Sequence, residues 1–213
     1  MIDTSKKFLV AGAGKSGIGS VNLLLKTGAD VSLYDGNEEL DKEALFEKLY
    51  EKKEISLVLG NITKEDIEKY DLLVLSPGIS VNAPIAQMFY DQEKPVWSEI
   101  ELAYQASKGK IAAITGTNGK TTTTALTGEI MKGYYESSFV VGNIGIPYTS
   151  VALDTQENSV ITAEISSFQL ETIVDFKPDV CAVLNITPDH LDRHGTVAVS
   201  YTHLRAHETR SNL

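Results

Sequence analysis

The chain has 213 residues, 42% of them hydrophobic and 23% charged, which suits a globular protein with room for one large domain or two small ones. Its 19 Lys and Arg against 29 Asp and Glu leave a formal net charge of −10, which excludes a general attraction to nucleic acid or to an anionic membrane surface. The single cysteine, Cys181, cannot form an internal disulfide, and it sits in an apolar run that predicts a core position. No apolar run approaches the ~18 residues of a membrane span. The apolar stretch behind Lys6 and Lys7 is too short for a signal segment, so a soluble cytoplasmic protein is expected.

Short apolar runs alternate with helix-like segments from the start. Phe8–Ala11 reads as a buried strand, followed by a glycine turn and a helix over Ser16–Lys26. Asp30–Tyr34 reads as the next strand. Glu38–Lys53 reads as one charged helix with Leu40, Ala44, Leu45 and Leu49 on its apolar face. Strands follow at Ile55–Leu59, Leu72–Leu75 and Pro95–Trp97. Ser98 and Glu101 fit an S-x-x-E capping box that opens a helix running to Ala106. After a connector at Ser107–Lys110 the alternation resumes, with a strand at Ile111–Ile114 and a helix at Thr121–Met131. Further strands are expected near Phe139–Val141, Val160–Ala163 and Val180–Leu184. Such alternation predicts parallel sheets flanked by helices. The expected organisation is a Rossmann-like α/β domain over residues 1–94, a linker at 95–110 and a P-loop-type α/β domain at 111–197.

Gly12-Ala-Gly14-Lys15-Ser16-Gly17 follows a strand and opens a helix, and Asp35 ends the next strand. That is the context of a dinucleotide fingerprint, in which glycines allow a tight turn and a close backbone approach to a diphosphate. By itself it suggests NAD with Asp35 on a ribose hydroxyl; a tight turn without a ligand is the plain alternative. Gly116-Thr117-Asn118-Gly119-Lys120-Thr121-Thr122 also lies between a strand and a helix. It departs from a full Walker A pattern, because Ile114 stands where that pattern has its first glycine. The chemistry still suits phosphate: the loop amides form an anion nest, Lys120 can reach the β- and γ-phosphates, and the Thr121 hydroxyl can reach Mg²⁺. Two phosphate loops, each opening a fresh α/β unit, imply one enzyme that holds a nucleotide-linked substrate and ATP.

Glu164 ends an apolar strand within Thr162-Ala-Glu164-Ile-Ser166-Ser-Phe-Gln169-Leu-Glu171. A carboxylate at the C-terminal end of a parallel strand can hold Mg²⁺, although a capping role at the following helix is the alternative. Asn185-Ile-Thr-Pro188-Asp189-His190-Leu-Asp192-Arg193-His194 follows another apolar strand. There His190 is a candidate metal ligand or phosphate contact, with a purely structural histidine as the alternative.

These segments, together with Gly142-Asn143-Ile-Gly-Ile-Pro147, resemble the ordered signature of the Mur ligase family over roughly Phe8 to Thr196. The Ser-Ser-Phe-Gln-Leu-Glu run and the first glycine loop most resemble the D-glutamate-adding branch. The resemblance implies an ATP-dependent amide ligase of peptidoglycan precursor synthesis that joins D-glutamate to UDP-N-acetylmuramoyl-L-alanine through an acyl phosphate. It further implies that Gly14, Lys15, Ser16, Gly17, Asp35 and the Ser76-Pro77-Gly78 turn hold UDP, which replaces the NAD reading of that loop. Asn143 would contact the muramoyl part, and Gly116–Thr122 would bind ATP. Thr121, Glu164 and His190 would hold Mg²⁺, with Lys120, Glu164 and His190 as the candidate catalytic residues. A monomer is expected.

Other classes remain open at this level. They are another Mur-type or folylpolyglutamate-synthase-like ligase, an NAD-dependent Rossmann oxidoreductase or binding module, and a non-catalytic UDP-sugar binder. Residues 198–213 lack apolar periodicity and read as a non-native tail, so the spacing of His203 and His207 is not taken as a metal site. The family's carbamylated lysine would fall at Arg205, inside that tail. The expectation is therefore a truncated, inactive part of a longer ligase.

Overall fold

The apolar runs become the strands of two all-parallel sheets in a computed structural model that describes residues 2–143 and 145–187. The first unit comprises β1 (Lys7–Ala11), α1 (Lys15–Thr27), β2 (Asp30–Asp35), α2 (Lys42–Phe46), β3 (Ser56–Leu59), α3 (Lys64–Ile67), β4 (Leu72–Leu75), α4 (Pro84–Asp91), β5 (Val96–Ser98) and α5 (Glu99–Ala106). Its strand order is β3-β2-β1-β4-β5, with Phe8 of β1 aligned to Val31 and to Leu72. The order reverses direction between β1 and β4, so the loops leaving those two strands diverge and open a crevice at the carboxyl end of the sheet. The Gly12–Gly17 loop and the Ser76–Gly78 turn both lie there.

The second unit comprises β6 (Lys110–Thr115), α6 (Lys120–Tyr134), β7 (Ser138–Gly142), β8 (Val160–Glu164), α7 (Ser167–Leu170) and β9 (Val180–Val183), in the order β7-β8-β6-β9. Every strand is parallel to its neighbours, so the four loops at its carboxyl end share one edge. These loops begin at Gly116, Asn143, Ile165 and Leu184.

Several details differ from the sequence reading. The single helix expected over Glu38–Lys53 is broken into α2 and a 3-10 turn at Tyr50–Lys52. The reason lies on α1: the Asn22 side chain donates to the Lys48 carbonyl and accepts from the Tyr50 amide, taking backbone groups that a continuous helix would pair internally. Glu51 and Lys52 then take left-handed φ values of 54° and 50°. Leu45 and Leu49 are still buried, Leu40 is half-buried and Ala44 is exposed. α3 and α4 were not read from the sequence. Cys181 is half-buried rather than a core residue. The stretch 95–110, expected as a linker, carries β5, hydrogen-bonded into the first sheet, and all of α5.

α5 is the element that joins the two units. Ile100, Leu102 and Ala103 are fully buried in a core shared with Tyr148, Ile161 and Phe176 of the second unit. Burying each such Ile or Leu contributes about 1.5–3 kcal/mol. The expected capping box is only half formed. The Ser98 hydroxyl accepts from the Glu101 amide, but the Glu101 carboxylate turns away from the helix start. Its Oε2 accepts the amides of Val174, Asp175 and Phe176 at 2.8, 3.0 and 2.9 Å, tying α5 to the second unit.

Beside it, Glu99 is also fully buried. Its Oε1 accepts from Gln169 Nε2 at 2.7 Å, while Oε2 has no hydrogen-bond partner among the described residues. Burial pushes its carboxyl up to about 7, against the weaker opposing effect of the Gln169 hydrogen bond. The folded state therefore holds a proton there that the unfolded chain releases near pH 4.5. The resulting stabilisation is complete below that pH and is lost as pH rises through about 7. The loss amounts to roughly 3 kcal/mol. Urea unfolding at pH 5 and pH 8 should show this fall in the unaltered chain, and Glu99→Gln should remove most of the difference. Equal pH slopes in both proteins would mean that Glu99 titrates normally.

Candidate active site

At the switch point of the first sheet, Gly12 leaves β1 at φ +99° and the chain turns into α1. Asp35, at the end of β2, holds this loop: its Oδ2 accepts the Ala13 amide at 2.8 Å and its Oδ1 accepts the Asn37 amide at 2.9 Å. With Ser76–Ile79 beyond β4, the loop forms one wall of a cleft of about 530 Å³. The opposite wall comes from the second unit, as Gly142, Asn143, Gly145, Pro147 and Gln169. Gly14, Lys15, Ser16, Asp35, Ser76, Pro77, Gly78 and Asn143 thus converge on one cavity. Gly17 does not line it; it is buried beneath, where α1 crosses the Gly12 carbonyl.

Gly142 ends β7 at φ +108°, and a Cβ there would lie 2.1 Å from the Glu164 carbonyl oxygen. Only glycine lets β7 and β8 run this close, and the approach delivers Asn143 to Glu164. Asn143 Nδ2 donates to Glu164 Oε1 at 2.9 Å, and Thr121 Oγ1 donates to Glu164 Oε2 at 2.9 Å. Glu164 is only 1% exposed, so its carboxylate sits between the cleft and the second glycine loop with one donor on each oxygen. This relay of Asn143, Glu164 and Thr121 connects the second unit's wall of the cleft to the second glycine loop.

The Gly116–Thr122 loop leads from β6 into α6, with Gly119 at φ +82° as the last residue before the helix. The amides at the helix start have no carbonyl within the helix to bond and form an anion-binding end. Lys120 Nζ donates to the Gly116 and Thr117 carbonyls at 2.8 and 2.9 Å, so the ammonium is folded back on its own loop. The loop is held from the other side by the segment after β9. The Thr117 amide donates to the Asn185 carbonyl, and the Asn118 amide donates to Asn185 Oδ1. Two amides expected to cradle phosphate are thereby already engaged.

A hydroxyl and a carboxylate at the mouth of a phosphate loop are hard oxygen donors of the kind that suits Mg²⁺, and the Thr121–Glu164 contact fits that ion. Among the described residues no cluster of three His, Cys, Asp or Glu side chains gathers around a point. His190, Asp189, Arg205 and the 198–213 tail lie outside the described residues.

Two residues gain a position that the sequence reading did not assign. Gln169 lines the cleft while its Oε1 accepts the Ser166 amide and hydroxyl and its Nε2 donates to Glu99. Its S-x-x-Q spacing from Ser166 is a capping-box signal present in the sequence. Asn185 carries no comparable local signal.

Comparison with known proteins comes from both sequence and fold. A profile described as Mur ligase MurD-like, N-terminal domain, matches residues 6–98, and one described as Mur ligase middle domain matches residues 114–205. The chain is 55% identical over 192 residues to a UDP-N-acetylmuramoylalanine–D-glutamate ligase of Lachnoclostridium phytofermentans, covering 90% of this chain and 42% of that relative. It is 56% identical over 193 residues to the ligase of the same name from Lachnospira eligens, covering 91% and 43%. The chain therefore spans less than half the length of these relatives. Among solved structures, the UDP-N-acetylmuramate–alanine ligase of Thermotoga maritima aligns at a TM-score of 0.54 with 21% identity, covering 94% of this chain and 46% of that one. The UDP-N-acetylmuramate:L-alanyl-gamma-D-glutamyl-meso-diaminopimelate ligase (MPL) of Neisseria meningitidis aligns at 0.55 with 16% identity, covering 97% and 69%. At those identities the likeness concerns the fold.

Proposed function

Because the chain belongs to the Mur ligase family, we propose that it is the UDP-substrate- and ATP-binding part of a cytoplasmic ligase that adds D-glutamate to UDP-N-acetylmuramoyl-L-alanine. The observation that carries this reading is the Asn143–Glu164–Thr121 relay between a nucleotide-type cleft and a phosphate loop. A dehydrogenase would leave the second loop idle, and a simple ATPase would leave the cleft idle. No helix among the described residues is long and apolar enough to cross a membrane.

In the proposed reaction the alanyl carboxylate attacks the γ-phosphorus of ATP and ADP leaves. The amine of D-glutamate then attacks the acyl carbon, and inorganic phosphate departs with the shared oxygen. Little covalent work falls to the protein, so positioning and charge neutralisation dominate. Gly14–Ser16, Asp35 and Ser76–Gly78 hold the UDP end and direct the muramoyl part across the cleft towards Asn143. Lys120 leaves its loop carbonyls for the β- and γ-phosphates. Thr121 and Glu164, with His190 as the family resemblance implies, would hold Mg²⁺, which would neutralise charge on the transferred phosphoryl group. Glu164 presents its carboxylate from a buried strand end, so its position changes little on binding.

Calorimetric titration of the purified chain tests the reading. UDP-N-acetylmuramoyl-L-alanine and Mg·ATP should each bind at one independent site, and NAD should not bind. Binding of NAD without the UDP compound would overturn the proposal in favour of an oxidoreductase. Binding of the UDP compound without Mg·ATP would leave a UDP-sugar binder.

A further inference from the structure

We propose that Asn185 is a positioning residue for the ATP loop, clamping Asn118 so that phosphate meets the start of α6 rather than the loop before it. The proposal rests on the ATP reading above and extends it to a residue that touches no ligand itself.

The clamp is a short stretch of strand-like pairing built partly from a side chain. Asn185 Oδ1 accepts the Asn118 amide at 2.8 Å, and Nδ2 of the same side chain donates to the Asn118 carbonyl at 2.8 Å. The Asn185 carbonyl accepts the Thr117 amide at 3.0 Å. One step further on, Thr117 Oγ1 donates to the Thr187 carbonyl at 3.2 Å and accepts the Thr187 amide at 3.0 Å. Thr117 and Asn118 are thus fastened to Asn185 and Thr187. Gly116 permits the approach, since a Cβ on it would stand 3.0 Å from the Asn185 carbonyl oxygen.

Two consequences follow. The amides of Thr117 and Asn118 are spent on Asn185, so the backbone donors left for phosphate begin at Gly119, alongside Lys120 and Thr121. Fixing both backbone groups of Asn118 also fixes where the chain enters Gly119, whose left-handed φ of +82° turns it into α6. A primary amide suits this task because it carries a donor and an acceptor at one planar end. A carboxylate would keep the acceptor, lose the donor and add negative charge beside the phosphates.

The test uses the full chain with Asn185→Ala and Asn185→Asp, titrated with Mg·ATP and separately with UDP-N-acetylmuramoyl-L-alanine. Exchange of the Asn118 amide is followed by NMR. Losing two hydrogen bonds should raise the Kd for Mg·ATP about tenfold or more in the alanine variant. The Kd for the UDP compound should stay within about twofold, because the clamp lies away from the cleft. Protection of the Asn118 amide should drop. Should the alanine variant fail to fold, the isosteric aspartate variant serves, with the same tenfold loss expected. An unchanged Kd for Mg·ATP, or unchanged Asn118 exchange, in a folded variant overturns the clamp while the ATP reading stands. Failure of the unaltered chain to bind Mg·ATP overturns both.

Discussion

Lys120→Ala is expected to weaken Mg·ATP binding by about 100-fold or more, from the loss of two charge-assisted contacts. The affinity for UDP-N-acetylmuramoyl-L-alanine should stay within a factor of about two. The chain carries a formal net charge of −10, so no general field attracts a nucleotide triphosphate, and local cations must do so. Lys120 is the cation within the second glycine loop, and the helix start behind it supplies only partial charge. In the free protein its ammonium bonds the Gly116 and Thr117 carbonyls. Removing it therefore also loosens the loop slightly, which a small fall in melting temperature should register. The cleft has no contribution from Lys120, and this separates the two ligands. Parallel titrations of both ligands decide the matter. Equal loss of both would mean that the two loops act as a single site.

The second large effect should come from Gly17→Ala. Gly17 lies in the first turn of α1, where alanine is normally the better helix former by about 1 kcal/mol. Sterics oppose that gain. A Cβ at Gly17 would lie 1.7 Å from the Gly12 carbonyl oxygen, inside any tolerable contact and against backbone rather than a flexible side chain. Relief requires α1 to move off β1 or the glycine loop to rebuild, at a cost of about 3 kcal/mol or more, and the steric effect wins. The UDP-compound affinity should fall with it, because the displaced loop is one wall of the cleft. Gly133→Ala is the matched control. It is also helical, in α6, but nothing lies within 4 Å of the added Cβ, so it should stabilise the chain by about 0.5–1 kcal/mol. Urea unfolding of the two variants should give shifts of opposite sign. A stabilised Gly17→Ala would show that the loop and helix can separate freely.

Much of this protein was legible in its sequence because the signals were local. A buried parallel strand reads as an apolar run, and Phe8–Ala11, Leu72–Leu75 and Val160–Ala163 all became strands. A glycine loop between strand and helix marks itself by composition, as at Gly12–Gly17 and Gly116–Thr122. Glu164 was placed by its position at a strand end. Even the capping of α7 by Ser166 and Gln169 obeys a spacing visible along the chain. Pairings between distant residues had no such signature. Asn22 breaks the Glu38–Lys53 helix by taking the Lys48 carbonyl and Tyr50 amide, and nothing within that segment announces it. Glu101 looked like the far half of a capping box, yet it holds the amides of residues 174–176, because packing α5 between the units makes a buried backbone turn its nearest unsatisfied partner. Asn185 reaches Asn118 because β9 pairs with β6, which aligns the loops that follow the two strands. Local hydrophobic pattern decided which segments are strands; the sheet order, set by how those strands bury one another, decided which loop residues meet.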